Sequence, residues 1–198
     1  MLPICIILFF AIFFTPISVV ILLYFTSFGL WLYINSVKYL GRYLPANVIE
    51  APYELLAHLY IWIGSIWHGF TIQGLENIPK DGPALLLFYH APMPVDMYYV
   101  NASIITKCKR RPHFVGDRFL KLVPGFQALL EALHIDALDA PQMCALLRQG
   151  HLVAVAPGGL REALFSDDMY SMVWNNRVGF AKVWLDTCSV VCFLNNFN

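Results

Sequence analysis

Residues 84–99 read ALLLFYHAPMPVDMYY, and they decide the fold class. Ala84 to Tyr89 is a continuous apolar run without alternation, the pattern of a strand buried on both faces. It delivers His90, a proline-bearing turn follows, and Asp96 stands where a helix begins. Residues 151–165, HLVAVAPGGLREALF, repeat the design: a buried strand, Leu152 to Ala156, runs into Pro157-Gly158-Gly159 and then a helix or loop carrying Arg161 and Glu162. Short apolar runs alternating with helix-length stretches in that order are the signature of strand-helix-strand units and of an α/β domain.

Working outward, two further strands are expected at His113–Val115 and Val190–Leu194. Helices are expected near Asp96–Thr106, Pro124–Leu133, Gln142–Gln149 with Gly150 as its stop, and Asn176–Thr187. The α/β domain therefore covers residues 71–198. Val190–Leu194, a strand close to the end of the chain, raises the expectation of an incomplete sheet with an exposed edge.

The first 40 residues are of another kind. No charged side chain occurs from Met1 to Val37, and 28 of those 37 residues are apolar. A bilayer core of about 30 Å needs roughly 20 helical residues. Thr15-Pro16 is the expected break, leaving a span of about residues 17–37; the preceding segment then forms half of a hairpin or continues as one kinked helix. Trp31, Tyr33 and Tyr39 suit an aromatic belt, and Lys38 and Arg42 put the remainder on the cytosolic side. A cleaved signal peptide fits less well, since there is no basic start and no A-x-A site. Residues 41–70 read as a linker and an amphipathic helix, Pro52–Phe70, lying in the membrane interface, with a second crossing as the alternative.

Over the 198 residues, 13 basic side chains balance 13 acidic ones and only 13% are charged. Disorder is excluded, and so is the basic excess of a nucleic-acid binder. Five cysteines without a C-x-x-C pair encode neither a disulfide framework nor a zinc site, and no metal is expected.

Chemistry concentrates at the two strand ends, where α/β folds build their sites. A histidine oriented by a carboxylate is suited to removing a hydroxyl proton, because its pKa lies near working pH; His90 and Asp96 are candidates, although Asp96 also suits a helix N-cap. Paired glycines let backbone amides approach an anion, although a plain tight turn has the same sequence. No G-x-S-x-G elbow is present. Lys107, Lys109, Arg110, Arg111, Arg118 and Lys121 form a basic cluster, either an attractor for lipid headgroups or coenzyme A phosphates, or a solvated face. His113, His134 and His151 lie in or beside apolar elements and read as structural.

From about Ile72 to Val191 the sequence resembles the transmembrane protein 68 group of membrane-bound glycerolipid acyltransferases. These belong to the superfamily of diacylglycerol and lysophospholipid acyltransferases. The matching segments are DGPALLLFYHAPMPVD (81–96), GDRFLKLVPGF (116–126), GHLVAVAPGGLREALFSDDMY (150–170) and NRVGFAKVWLD (176–186), in the family's order. The resemblance implies a membrane-anchored α/β acyltransferase fold and transfer of a fatty acyl group to a mono- or diacylglycerol hydroxyl. It implies no cofactor, acyl-CoA as donor, the bilayer as partner, and the cytosolic face of the endoplasmic reticulum. It makes His90 the catalytic histidine and Asp96 its partner, with five residues between them where the wider superfamily has four. Arg118, Pro157, Gly158, Gly159, Arg161 and Glu162 become the substrate-binding set. The superfamily's P-E-G-T-R appears here as Pro157-Gly158-Gly159-Leu160-Arg161, and the PGG-x-x-E form favours a neutral acceptor. The family's later strand has V-P-x-x-P character, which residues 188–192 lack, so the chain resembles a C-terminally shortened member. A catalytically inactive relative that binds lipid or a partner is the alternative.

Overall fold

The computed structural model describes residues 2–90, 95–165, 174 and 176–197. The proline-bearing turn at 91–94 lies outside them.

Among the described residues six strands form one sheet in the order β1-β6-β2-β5-β3-β4, comprising β1 (Thr71–Gln73), β2 (Ala84–Phe88), β3 (Pro112–Val115), β4 (Ile135–Asp136), β5 (Leu152–Val155) and β6 (Val190–Phe197). All neighbours are parallel except β1 and β6, which run antiparallel. The fold is α/β, as the apolar strand runs require. All five residues of β2 are buried, because helices cover both faces. Ala84, Leu86 and Phe88 face one apolar core, while Leu85 and Leu87 face a second with Met143, Leu147 and Val183. The alternation follows from the two-residue period of a strand.

Seven helices accompany the strands in the described residues: α1 (Leu2–Leu40), α2 (Ala46–Trp67), α3 (Val95–Cys108), α4 (Gln127–Ala132), α5 (Ala140–Arg148), α6 (Leu160–Phe165) and α7 (Gly179–Thr187). The start of α5 precedes the expected Gln142 because Asp139 and Gln142 form a reciprocal capping box. Asp139 Oδ1 accepts the Gln142 amide and Gln142 Oε1 accepts the Asp139 amide, both at 2.9 Å. β1 and β4 are too short to carry an alternation and were not anticipated. β6 pairs with β2 over Val190–Leu194 and with β1 over residues 195–197, so β1 covers only the end of the edge that was expected to be exposed.

The expected break at Thr15-Pro16 is absent, since α1 continues through Pro16 without interruption. Proline removes one helical hydrogen bond, a loss that a long apolar helix tolerates. Ile17–Tyr43 is long and apolar enough to cross a membrane. Yet one stripe of α1 docks onto the domain: Val19, Leu23, Ser27 and Leu30 are buried, spaced four, four and three residues apart. The Tyr24 ring meets Phe126 edge-on at 5.1 Å, and the Ser27 hydroxyl donates to the Gly125 carbonyl. Phe25, Phe28 and Trp31 on the other side are exposed. Tyr33 packs edge-on against Tyr53 at 5.7 Å.

The second helix, α2, is longer than expected and includes Pro52. Its Ala57 and Tyr60 are buried, with Tyr60 stacked on Tyr98 of α3, while Leu55, Trp62, Ile66 and Trp67 are exposed. Its acidic residues point to the domain: Glu54 pairs with Lys109 at 3.1 Å and Glu50 with Arg111.

Candidate active site

Parallel pairing of β2 with β5 sets Leu87 opposite Val155. Three residues beyond each lie His90 and Gly158, so the two segments singled out in the sequence leave the sheet side by side. β3 is the next strand, with Phe114 opposite Ala154, and the 3-10 turn bearing Arg118 leaves the same edge. All three segments thus emerge at the carboxyl ends of adjacent strands, where open α/β sheets bind ligands.

His90 is half-buried. Asp96 lies in the first turn of α3 and is buried. The same helix carries Tyr98 and Tyr99, and burial raises both hydroxyls; Tyr99 is pushed up to about 12, with Tyr60 and the Asp96 carboxylate adding to the effect of burial. These phenols therefore stay neutral hydrogen-bonding groups at physiological pH.

Glu162, in the first turn of α6, is 1% exposed. Its Oε2 accepts the main-chain N–H of His90 at 3.2 Å, and its Oε1 accepts the indole N–H of Trp174 at 2.8 Å. A side chain at Gly158 has no room, since a Cβ there would lie 2.6 Å from Glu162 Oε1. Gly159 adopts a left-handed φ of +53°, which glycine tolerates at no steric cost. Arg177 Nη1 donates to the Gly158 carbonyl at 3.0 Å. Pro157 and Gly158 are buried, whereas Arg118 and Arg161 are exposed.

Of the predicted residues, then, the fold gathers His90, Pro157, Gly158, Gly159 and Glu162 around one point, with Asp96 buried at the start of α3. It leaves Arg118 and Arg161 at the surface of the same edge. Trp174 and Arg177 were not singled out from the sequence. Arg177 falls in a quoted segment, but nothing in the sequence around Trp174 signals a role. Among the described residues, no group of three His, Cys, Asp or Glu side chains is arranged to hold a metal ion.

Four of the six residues of the basic cluster make contacts within the chain, while Lys107 and Arg118 are exposed. Arg110 donates to three carbonyls, Pro79 at 2.9 Å, Gly82 at 2.7 Å and Gly150 at 2.9 Å. Lys109 and Arg111 pair with α2, and Lys121 pairs with Asp136 at 2.8 Å.

A cavity of about 360 Å³ opens between α1, α2 and the first turn of α3. Leu23, Phe25, Ile63, Val95 and Tyr99 are among its walls, and Val95 directly precedes Asp96. His68 also lines it, with its Nδ1 hydrogen bonded to the Tyr99 hydroxyl at 2.8 Å. Burial lowers the His68 pKa, favouring a neutral ring.

No family model matches the chain, and no solved structure does. Curated proteins do match. A human protein named "DGAT1/2-independent enzyme synthesizing storage lipids" is 41% identical over 184 residues, covering 87% of this chain and 55% of the relative. The chicken protein of the same name is 42% identical over 133 residues, covering 67% of this chain and 40% of the relative. More distantly, phytyl ester synthase 1, chloroplastic, of Arabidopsis thaliana is 24% identical over 156 residues, covering 71% of this chain and 22% of the relative. The chain spans about half the length of the storage-lipid enzymes it matches. At about 40% identity over 87% of its own length, the chain is similar to these storage-lipid enzymes, and more distantly to the phytyl ester synthases.

Proposed function

We propose that this protein is a membrane-bound O-acyltransferase that moves a fatty acyl group from acyl-CoA to a mono- or diacylglycerol hydroxyl in neutral glycerolipid synthesis. The observation that carries the reading is the meeting of His90 with the Gly158–Glu162 segment at one edge of the sheet, joined by the hydrogen bond from the His90 amide to Glu162. A histidine beside a glycine-rich turn supplies both a base and backbone donors, the two things acyl transfer to a hydroxyl requires.

In this mechanism His90, oriented by Asp96, takes the hydroxyl proton as the acceptor oxygen attacks the acyl carbonyl carbon. Backbone amides near Gly158 and Gly159 stabilise the negative oxygen of the tetrahedral intermediate. The carbon–sulfur bond then breaks, and the departing thiolate takes up the proton held by His90. No covalent enzyme intermediate is needed. Exposed Arg118 and Arg161 are suited to phosphates of the donor.

The apolar face of α1 and the outer face of α2 support a membrane location, and the cavity beside Val95 is apolar enough for a lipid chain. In this reading the domain faces the cytosol at the endoplasmic reticulum membrane. Radiolabelled acyl-CoA supplied with monoacylglycerol or diacylglycerol to washed membranes tests the function. Labelled product is expected with the wild-type chain and none with His90→Ala, which remains in the membrane fraction. Equal product from both removes His90 from the mechanism. No product from either, with bound lipid retained, favours a lipid-binding relative without catalysis.

A further inference from the structure

Glu162 was expected among the substrate-binding residues, yet its surroundings fit a different task. Its carboxylate is buried, and each oxygen already accepts a bond from a neutral donor of this chain, His90 N–H on one side and Trp174 Nε1–H on the other. A buried carboxylate bonded in this way is held firmly, because leaving either lone pair or either N–H unpaired costs the desolvation of that group.

The neighbouring glycine belongs to the same arrangement. Gly158 precedes Glu162 by four residues, and the position a side chain would take there is filled by the carboxyl group of Glu162. The glycine therefore makes the space that the carboxylate occupies. Across this contact the segment after β5 is joined to the segment after β2, 72 residues earlier in the chain. Arg177 braces the same turn through the Gly158 carbonyl.

We propose that Glu162 is a positioning residue: it fixes the main chain of His90 against the Gly158 turn, so that the imidazole and the oxyanion-binding amides keep one relative geometry, and it does not contact substrate. This rests on the acyl-transfer reading for its kinetic consequence, but the bond itself is testable without turnover. Glu162→Gln is the informative change. The glutamine carbonyl can accept one of the two bonds, while its amide turns N–H toward the other donor. Gly158→Ala tests the same contact from the opposite side by forcing the carboxylate out of its space.

The full chain is labelled with ¹⁵N-histidine in lipid nanodiscs, and the His90 amide resonance is identified by its loss in His90→Ala. Glu162→Gln and Gly158→Ala are each expected to move that resonance, whether or not the wild type transfers acyl groups. With an active wild type, kcat is expected to fall at least about tenfold in both variants, with KM nearly unchanged. The histidine limb of the pH–rate profile is expected to persist, since the base is still His90. An unmoved His90 resonance in both variants overturns the proposal. So does a raised KM with unchanged kcat, which is the signature of a lost substrate contact, and so does disappearance of the histidine limb.

Discussion

Gly64 of α2 lies flat against the ring of Tyr99 of α3: a Cβ at position 64 would be 3.0 Å from Tyr99 Cγ and 3.1 Å from both Cδ atoms. The ring cannot retreat. It is buried, packs on Phe70 at 5.2 Å, and is held at its hydroxyl by His68. Alanine at 64 gains about 1 kcal/mol of helix propensity and loses about 1–3 kcal/mol to overpacking, so Gly64→Ala is expected to destabilise modestly and Gly64→Val strongly. Thermal unfolding in detergent measures both. In a Tyr99→Leu background, which removes the flat ring, the Gly64→Ala penalty is expected to vanish; a penalty that persists unchanged locates the strain elsewhere.

Arg110 ties together three turns through its guanidinium, bonding the carbonyls of Pro79, Gly82 and Gly150. Gly82 lies just before β2 and Gly150 just before β5, so this one side chain fixes the entry of the two strands that later present the site. A hydrogen bond to a charged donor is worth about 1.5–3 kcal/mol. Arg110→Ala is expected to lower unfolding stability by at least about 2 kcal/mol, and Arg110→Lys to recover only part of it, because an ammonium cannot reproduce the planar fork. A neutral outcome for Arg110→Ala in chemical denaturation makes the three contacts redundant.

The parts of this architecture that were legible from sequence are those with a strong local signal. β2 and β5 are apolar runs that must be covered on both faces, and their ends differ by no more than one residue from expectation. β1 and β4, three and two residues long, are defined by pairing alone and have no signal of their own. The docking of α1 was equally silent, because a helix that is apolar all round shows no preferred face from which to read its packing side. At the site, His90 and the glycine pair were visible as residue types at strand ends. What could not be read was the bond between them, since the partnership of Glu162 with the His90 amide depends on β2 and β5 being neighbours in the sheet. Of the basic cluster, read as either a headgroup attractor or a solvated face, four charges are directed in space toward α2, the strand-entry turns and Asp136, a dispersal that spacing in sequence does not reveal.

Arg111 shows how that dispersal can be tested. Its guanidinium lies over the Tyr53 ring at 4.1 Å from the centroid and pairs with Glu50, both on α2. Such a contact stabilises by about 0.5–1 kcal/mol or somewhat more where partly desolvated. Arg111→Ala is expected to weaken the docking of α2, read as faster amide hydrogen exchange in residues 46–67, without changing the preference for anionic over zwitterionic vesicles in flotation. A marked loss of binding to anionic vesicles alone, with exchange in α2 unaltered, restores the headgroup-binding role.

Three histidines cluster at the entry edge of the sheet: His113 stacks on His134 at 4.8 Å and meets His151 edge-on at 5.1 Å, centroid to centroid. Burial first, then the His134 and His151 rings, lower the pKa of His113, with Asp136 opposing. Burial and then Arg111 lower that of His134, again against Asp136. The unfolded chain binds these protons near pH 6.5, the folded chain only at lower pH. Between those values the unfolded state holds more protons, so stability is full above about pH 6.5 and declines as pH falls toward the folded values. Carboxylates titrate below this range, which leaves pH 7.5 to 5.5 as a window dominated by imidazoles. His134 sits at a left-handed φ of +51°, a conformation asparagine accepts, so His134→Asn removes one imidazole with little backbone penalty. The fall in melting temperature between pH 7.5 and 5.5 is expected to be shallower in His134→Asn than in the wild type, since one proton-linked group is gone and His113 loses a like-charged neighbour. An equal or steeper fall in the variant assigns the acid sensitivity to groups outside the cluster.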